Sequence, residues 1–184
     1  MRLKRNLGEA IRLLQARQTH FHFASEFDKG INQTWLAWTQ RLNGDTAGAK
    51  VTAEQARNTL EPLCNDQPQN GFFLGVLSLA NAVLGEKEAA LKEAERAIML
   101  LSSIKDRVWG PASEELLAVI QMMVGENSSR AISTLTRLLQ TPGSSWTYGY
   151  GRMPVTPALL RLDPVWDPLR VDPAFQKLCE EKQP

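Results

Sequence analysis

The sequence predicts an all-α chain: antiparallel helix pairs stacked as a short right-handed superhelix, closed by a C-terminal capping segment. Three observations predict it. Apolar residues recur at helical spacing along most of the chain, a unit the size of one helix pair recurs in register, and Asp-Pro pairs punctuate the tail. The 184 residues are enough for a single repeat domain spanning 1–184.

The elements follow in order. Leu3, Leu7, Ala10, Ile11 and Leu14 form one stripe, with Arg2, Arg5, Glu9 and Arg12 opposite, so 1–30 opens as an amphipathic helix. It reads as the second helix of a repeat whose first helix is missing, which makes the chain the tail of a longer protein. Thr19 to Gly30, with Phe21, Phe23 and Phe27, either continues this helix or starts another.

Residues 31–68 form the first full pair: Trp35, Trp38 and Leu42 on one helix, the loop Asn43 to Ala49, then Ala56, Leu60 and Leu63, with Pro68 as the stop. Residues 70–104 repeat the pattern with Phe72, Leu74, Leu77, Ala80 and Val83, a break at Gly85, and Ala90, Ala94 and Ala97. These three alanines stand 34 positions after Ala56, Leu60 and Leu63. Residues 111–142 give a third pair, Leu116, Leu117, Ile120 and Met123 before Gly125, then Ala131, Leu135 and Leu138. The step from Ala90 to Ala131 is 41, which places an insertion around Asp106 to Pro111.

Residues 143–184 hold an aromatic, Gly-rich loop and then Asp163-Pro164, Asp167-Pro168 and Asp172-Pro173. Aspartate at an N-cap accepts orphan backbone N–H groups, and proline after it has φ preset for the first helical turn. Each Asp-Pro is therefore expected to start a short helix. Leu159, Leu162, Trp166, Leu169, Phe175 and Leu178 are expected to fold back over the open end of the last repeat.

This pattern resembles the tetratricopeptide repeat, a helix-turn-helix with large residues in the first helix and small ones where the helices touch. Trp35, Trp38, Leu42, Ala56, Leu60, Leu63 and Pro68 fit one repeat; Leu74, Leu77, Gly85, Ala90 and Ala97 fit a second. Gly125, Ala131, Leu135 and Leu138 fit a degenerate third. It departs from the family where Thr39 and Ser78 replace a glycine, and where Leu42 and Asn81 replace an aromatic. From about Leu91 to Leu178, with Leu160-Arg161-Leu162-Asp163-Pro164 and Trp166-Asp167-Pro168-Leu169-Arg170, the chain also resembles the tetratricopeptide tails of large bacterial signalling proteins. In those, a serine/threonine kinase or winged-helix domain lies upstream. The resemblance implies a bacterial regulatory or sensory setting and brings neither activity with it.

The net charge of +1 gives no reason to expect nucleic acid as a partner. The longest uncharged run, Gln67 to Gly85, is broken by polar residues and has too short an apolar part for membrane insertion. The chain reads as soluble and cytoplasmic as it stands, and a periplasmic place stays open if a larger membrane-anchored protein carries it. Cys64 and Cys179 sit among apolar neighbours and read as free thiols rather than a disulfide.

Motifs for chemistry are sparse. His20 and His22 lie one residue apart and read as surface groups, with no H-E-x-x-H, G-x-S-x-G or phosphate loop. No catalytic, metal or cofactor site is expected. Asn32-Gln33-Thr34 and Asn127-Ser128-Ser129 match the glycosylation pattern, a common chance match. Glu114-Glu115 reads as solvated charge.

A partner-binding, non-catalytic role leads. The first helix of each repeat is expected to line a concave face for a peptide or helix, with Asn32, Gln33, Gln40, Asn70, Asn81, Glu114 and Gln121 exposed there. Trp146, Tyr148, Tyr150 and Arg152 in the aromatic loop form a second expected contact surface. Self-association, or capping of a larger array, is a second class of function; a small-molecule sensor is a third.

Overall fold

The computed structural model describes residues 2–101, 109–126, 128–141, 145–146 and 154–180. Among these the secondary structure is all helical, and neighbouring helices pack in pairs. Two compact units divide the chain, Met1–Leu100 and Leu101–Pro184, so the 1–184 domain expected from the sequence falls into these two.

The first unit holds five α-helices: α1 (Leu7–His20), α2 (Glu26–Leu42), α3 (Thr46–Asp66), α4 (Gly71–Leu84) and α5 (Lys87–Leu100). A 3-10 turn, Arg2–Lys4, precedes α1. The ambiguity at 19–30 resolves as a break. α1 stops at His20, and Ser25 restarts the chain as an N-cap, its hydroxyl accepting from the Asp28 N–H at 3.1 Å. Phe27 thus belongs to α2, where its ring meets Phe73 of α4 at 4.4 Å. α2 packs against α1, α3 and α4, and α4 packs against α2, α3 and α5. The core runs through Leu36, Ala37, Trp38, Leu60, Leu77, Leu79 and the small residues of α3 and α5.

The second unit holds α6 (Trp109–Met123), α7 (Ser128–Leu139), α8 (Pro157–Leu162) and α9 (Pro173–Glu180), with a 3-10 helix over Pro164–Leu169. Of the three Asp-Pro pairs, two start a helix. Asp163 accepts from the Val165 N–H at 3.0 Å, and Asp172 from the Ala174 N–H at 2.8 Å. The middle pair does not: Pro168 lies inside the 3-10 helix, and Asp167 pairs with Arg170 at 2.5 Å. Trp166, Leu160 and Phe175 are fully buried and α9 packs on α7, whereas Leu162 turns outward, 49% exposed.

One turn recurs three times. The N–H groups of Asp45, Glu86 and Glu126 donate to the carbonyls of Gln40, Asn81 and Gln121 at 3.0, 3.0 and 2.8 Å. The glycine before each, Gly44, Gly85 and Gly125, has φ of 86, 90 and 72°, and its N–H reaches back to Arg41, Ala82 or Met122. This is the Schellman ending of a helix, which needs a left-handed residue and so selects glycine. The turns are spaced 41 and 40 residues apart.

That spacing corrects the register of the first repeat. Counted from the turns, Ala49, Ala53 and Ala56 match Ala90, Ala94 and Ala97, and all six are buried. They also stand 41 positions before the three. The interval of 34 differs by seven residues, two turns of helix, so it selects the same face of α3 and mimics the true match. The first helices repeat too: Ala37, Ser78 and Ala118 are small and buried at one position, and Leu36, Leu77 and Leu117 precede them.

Candidate functional site

Most of the polar residues expected on an exposed inner face are inside the protein. Asn32, Gln33 and Gln40 on α2, Asn81 on α4 and Gln121 on α6 are each at most 7% exposed. Each inner helix of the first unit packs against at least three others, which leaves its polar side chains no route to water. Asn32 instead donates from Nδ2 to the Leu14 carbonyl of α1 at 3.2 Å and holds α1 in place. Gln40, Asn81 and Gln121 occupy one position in the repeat, the carbonyl acceptor of the turn.

The remaining candidates keep a route to solvent. Asn70 is half-buried and caps α4, its Oδ1 accepting from the Phe72 and Phe73 N–H groups at 3.2 and 3.3 Å. Glu114 is half-buried and paired with Arg137. Trp146 is half-buried, and its N–H donates to Glu115 Oε2 at 2.7 Å. Tyr148, Tyr150 and Arg152 lie outside the described residues.

Glu115 corrects a second expectation, since it is not solvated charge but wholly buried. Its carboxylate also accepts from Ser145 Oγ at 2.6 Å, so one acid on α6 anchors the chain entering the aromatic loop. The guanidinium of Arg2 lies 4.9 Å from the ring of Trp38 and 5.7 Å from that of Trp35.

Sequence reasoning missed a groove of about 600 Å³ between α3, α4 and α5. Leu74 and Leu77 of α4 form part of its lining; Glu61, Cys64 and Asn65 of α3 and Ala89, Lys92, Glu93 and Arg96 of α5 add to it. Glu93 is half-buried and accepts from Asn81 Nδ2 at 2.8 Å. Burial pushes its carboxyl above the ordinary range, against the lowering effect of the Asn81 hydrogen bond; Glu61 raises it further and Lys92 lowers it. Burial, then the charges of Glu93 and Glu61, push the Cys64 thiol up to about 11. A signal for this site was present: Glu93 lies three residues after Ala90 and four before Ala97, an acid on the stripe of buried alanines.

Comparison with protein-family models, with curated proteins and with solved structures found no match. Cys64 and Cys179 are free and buried, and His20 and His22 are exposed. Among the described residues no three His, Cys, Asp or Glu side chains gather as metal ligands, and no helix is long and apolar enough to cross a membrane.

Proposed function

We propose that the chain is a non-catalytic protein–protein interaction module, built to hold a peptide or helix of a regulatory partner. The recurrence of one helix-turn-helix with one turn geometry supports this reading, because such arrays expose a long surface from few residue types. With the inner carboxamides buried, partner contact falls to the half-buried positions Trp35 and Asn70 in the first unit and Glu114 and Trp146 in the second. The tetratricopeptide resemblance and the bacterial signalling setting belong to the same proposal. The test is capture of partners on the immobilised chain, identification by mass spectrometry, and direct titration of the purified partner. A partner that binds the native chain and loses affinity at least tenfold on Trp35→Ala or Trp146→Ala supports the reading; unchanged affinity in both variants overturns this surface.

Self-association is the second reading, favoured by α1. No residue of that helix is buried, Leu13 is 43% exposed, and Phe21 just beyond it is 67% exposed. Sedimentation velocity decides it. Association that rises with concentration and disappears in a Leu13→Ser, Phe21→Ser double variant supports it, and a monomer up to millimolar concentration rules it out.

A further inference from the structure

Residues 2–6 repeat the turn that precedes α3. The Arg5 N–H donates to the Arg2 carbonyl at 2.8 Å, as the Gly44 N–H donates to that of Arg41 at 3.0 Å. Arg5 has φ of 56°, in the left-handed region where Gly44 stands at 86°. The next residue caps the helix in both. Asn6 accepts from the Glu9 N–H at 3.3 Å, and Asp45 from the Gly48 N–H at 2.9 Å. Arg2 and Arg41, three residues before each left-handed residue, both reach the inner helix that follows. Arg41 donates to the Ala82 carbonyl of α4 at 2.9 Å, and Arg2 lies over Trp35 and Trp38 of α2. A residue with a Cβ adopts this backbone only at a cost, so Arg5 marks an imposed turn rather than a frayed end.

α1 thus stands in the place of a second helix. α3, α5 and α7 each pack most extensively against the helix that precedes them. In front of α1 that place holds only the 3-10 turn Arg2–Lys4. Counted from the caps, Ala10, Leu14 and Phe21 match Ala49, Ala53 and Leu60. The latter three are at most 1% exposed, whereas Ala10 and Leu14 are half-buried and Phe21 is 67% exposed. The segment is also basic. From 2 to 20 the sequence has Arg2, Lys4, Arg5, Arg12 and Arg17 against Glu9 alone, in a chain of net charge +1. Glu9 and Asp28 pair with Arg12 and Arg17, and Lys4 is exposed.

We propose that the open side of α1 docks an acidic amphipathic helix of a partner protein, antiparallel to α1 and in the place of a first helix. The turn at Arg5 sets where that helix ends, Ala10, Leu13 and Leu14 give it an apolar seat, and the basic segment selects its charge. The pair α6 and α7 uses the same chemistry, with Glu114 of the first helix on Arg137 of the second. The proposal rests on the interaction-module reading and names a further surface for it. A natural partner that loses affinity on Trp35→Ala or Trp146→Ala, but not on changes in α1, leaves that reading standing and overturns this one.

The test is an amide-resolved NMR titration of the whole chain with a capped peptide of residues 109–123, a first-helix sequence with Glu114, Glu115 and no base. Saturable shifts are expected at Ala10, Leu13, Leu14 and Phe21. The double variant Leu13→Ser, Phe21→Ser alters two exposed side chains, and is expected to keep the spectrum of a folded chain and to weaken the peptide at least tenfold. Glu114→Gln with Glu115→Gln in the peptide is expected to weaken it at least threefold, a difference that closes in 1 M salt. No saturable binding, shifts centred on other residues, unaltered affinity in the double variant, or a neutral peptide that binds as tightly would each overturn the proposal. So would a dimer formed through α1 that the peptide does not dissociate. Binding to phosphatidylglycerol vesicles that the double variant abolishes and the peptide does not displace would assign the surface to a membrane instead.

Discussion

A methyl group placed on Gly30 would stand 2.6 Å from Cδ2 and 2.8 Å from Cγ of Leu60, a side chain with no exposed surface. The start of α2 and the middle of α3 thus meet at a point where one hydrogen atom fits and a carbon does not. Gly30→Ala gains about 1 kcal/mol of helix propensity and loses about 1–3 kcal/mol to overpacking against a leucine that cannot retreat. A net loss of about 1 kcal/mol is expected in urea denaturation. With Leu60→Val already in place, the same change is expected to be neutral or stabilising.

Glu93 sets a pH dependence of known sign. Its carboxyl titrates above the ordinary 4.5 in the folded chain, chiefly because burial penalises the charged form. The folded state holds this proton more tightly than the unfolded one. Its stabilising contribution is full below the unfolded value and is lost as pH rises through the folded one. Glu93→Gln is therefore expected to raise the melting temperature at pH 7, with the difference closing at pH 4 and below. A variant less stable at pH 7, or one whose gain persists unchanged into acid, would show that the carboxylate is satisfied where it stands.

Cys64 is expected to be a slow nucleophile. With its thiol raised from 9.0 to about 11, it presents about 100-fold less thiolate at pH 8 than an ordinary cysteine, and burial slows reagents further. Alkylation by iodoacetamide, followed by mass spectrometry of the native and the urea-unfolded chain, measures this directly. Reaction at the unfolded rate would mean that the groove opens readily.

Glu115→Ala removes the acceptor for both Ser145 Oγ and the Trp146 N–H. Hydrogen bonds to charged groups contribute about 1.5–3 kcal/mol, so the variant is expected to lose about 2 kcal/mol or more of stability. Trp146 fluorescence should shift to the red, and proteolysis near the aromatic loop should speed up. Trp146→Phe keeps the backbone donor, so its stability is expected to change much less.

The fold was legible because helical periodicity and glycine placement act locally. Gly85 and Gly125 announce turns that no residue with a Cβ adopts cheaply, and Asp163-Pro164 and Asp172-Pro173 announce helix starts by the same short-range logic. Register was harder, since Ala56 and Ala49 lie on the same face two turns apart, and only the turn bonds separate them. Burial was not legible for the polar residues. Asn32 and Gln40 look like surface groups until α1, α3 and α4 close round α2. The groove depends on Glu61, Leu74 and Glu93 meeting from three helices; the one local sign of it, an acid on the alanine stripe of α5, does not say which helices meet there.

α3 runs for 21 residues and α5 for 14, a difference of seven. The α3 residues that wall the groove, Glu61, Cys64 and Asn65, all come from its last two turns. Seven residues carry a helix almost through two whole turns, so losing or gaining that block leaves the buried alanines of α3 facing where they did. The stack and the groove are nonetheless tied together: the same two turns wall the cleft with Glu61, Cys64 and Asn65 and seat Leu60 against Gly30, so trimming the cleft away takes a core side chain with it.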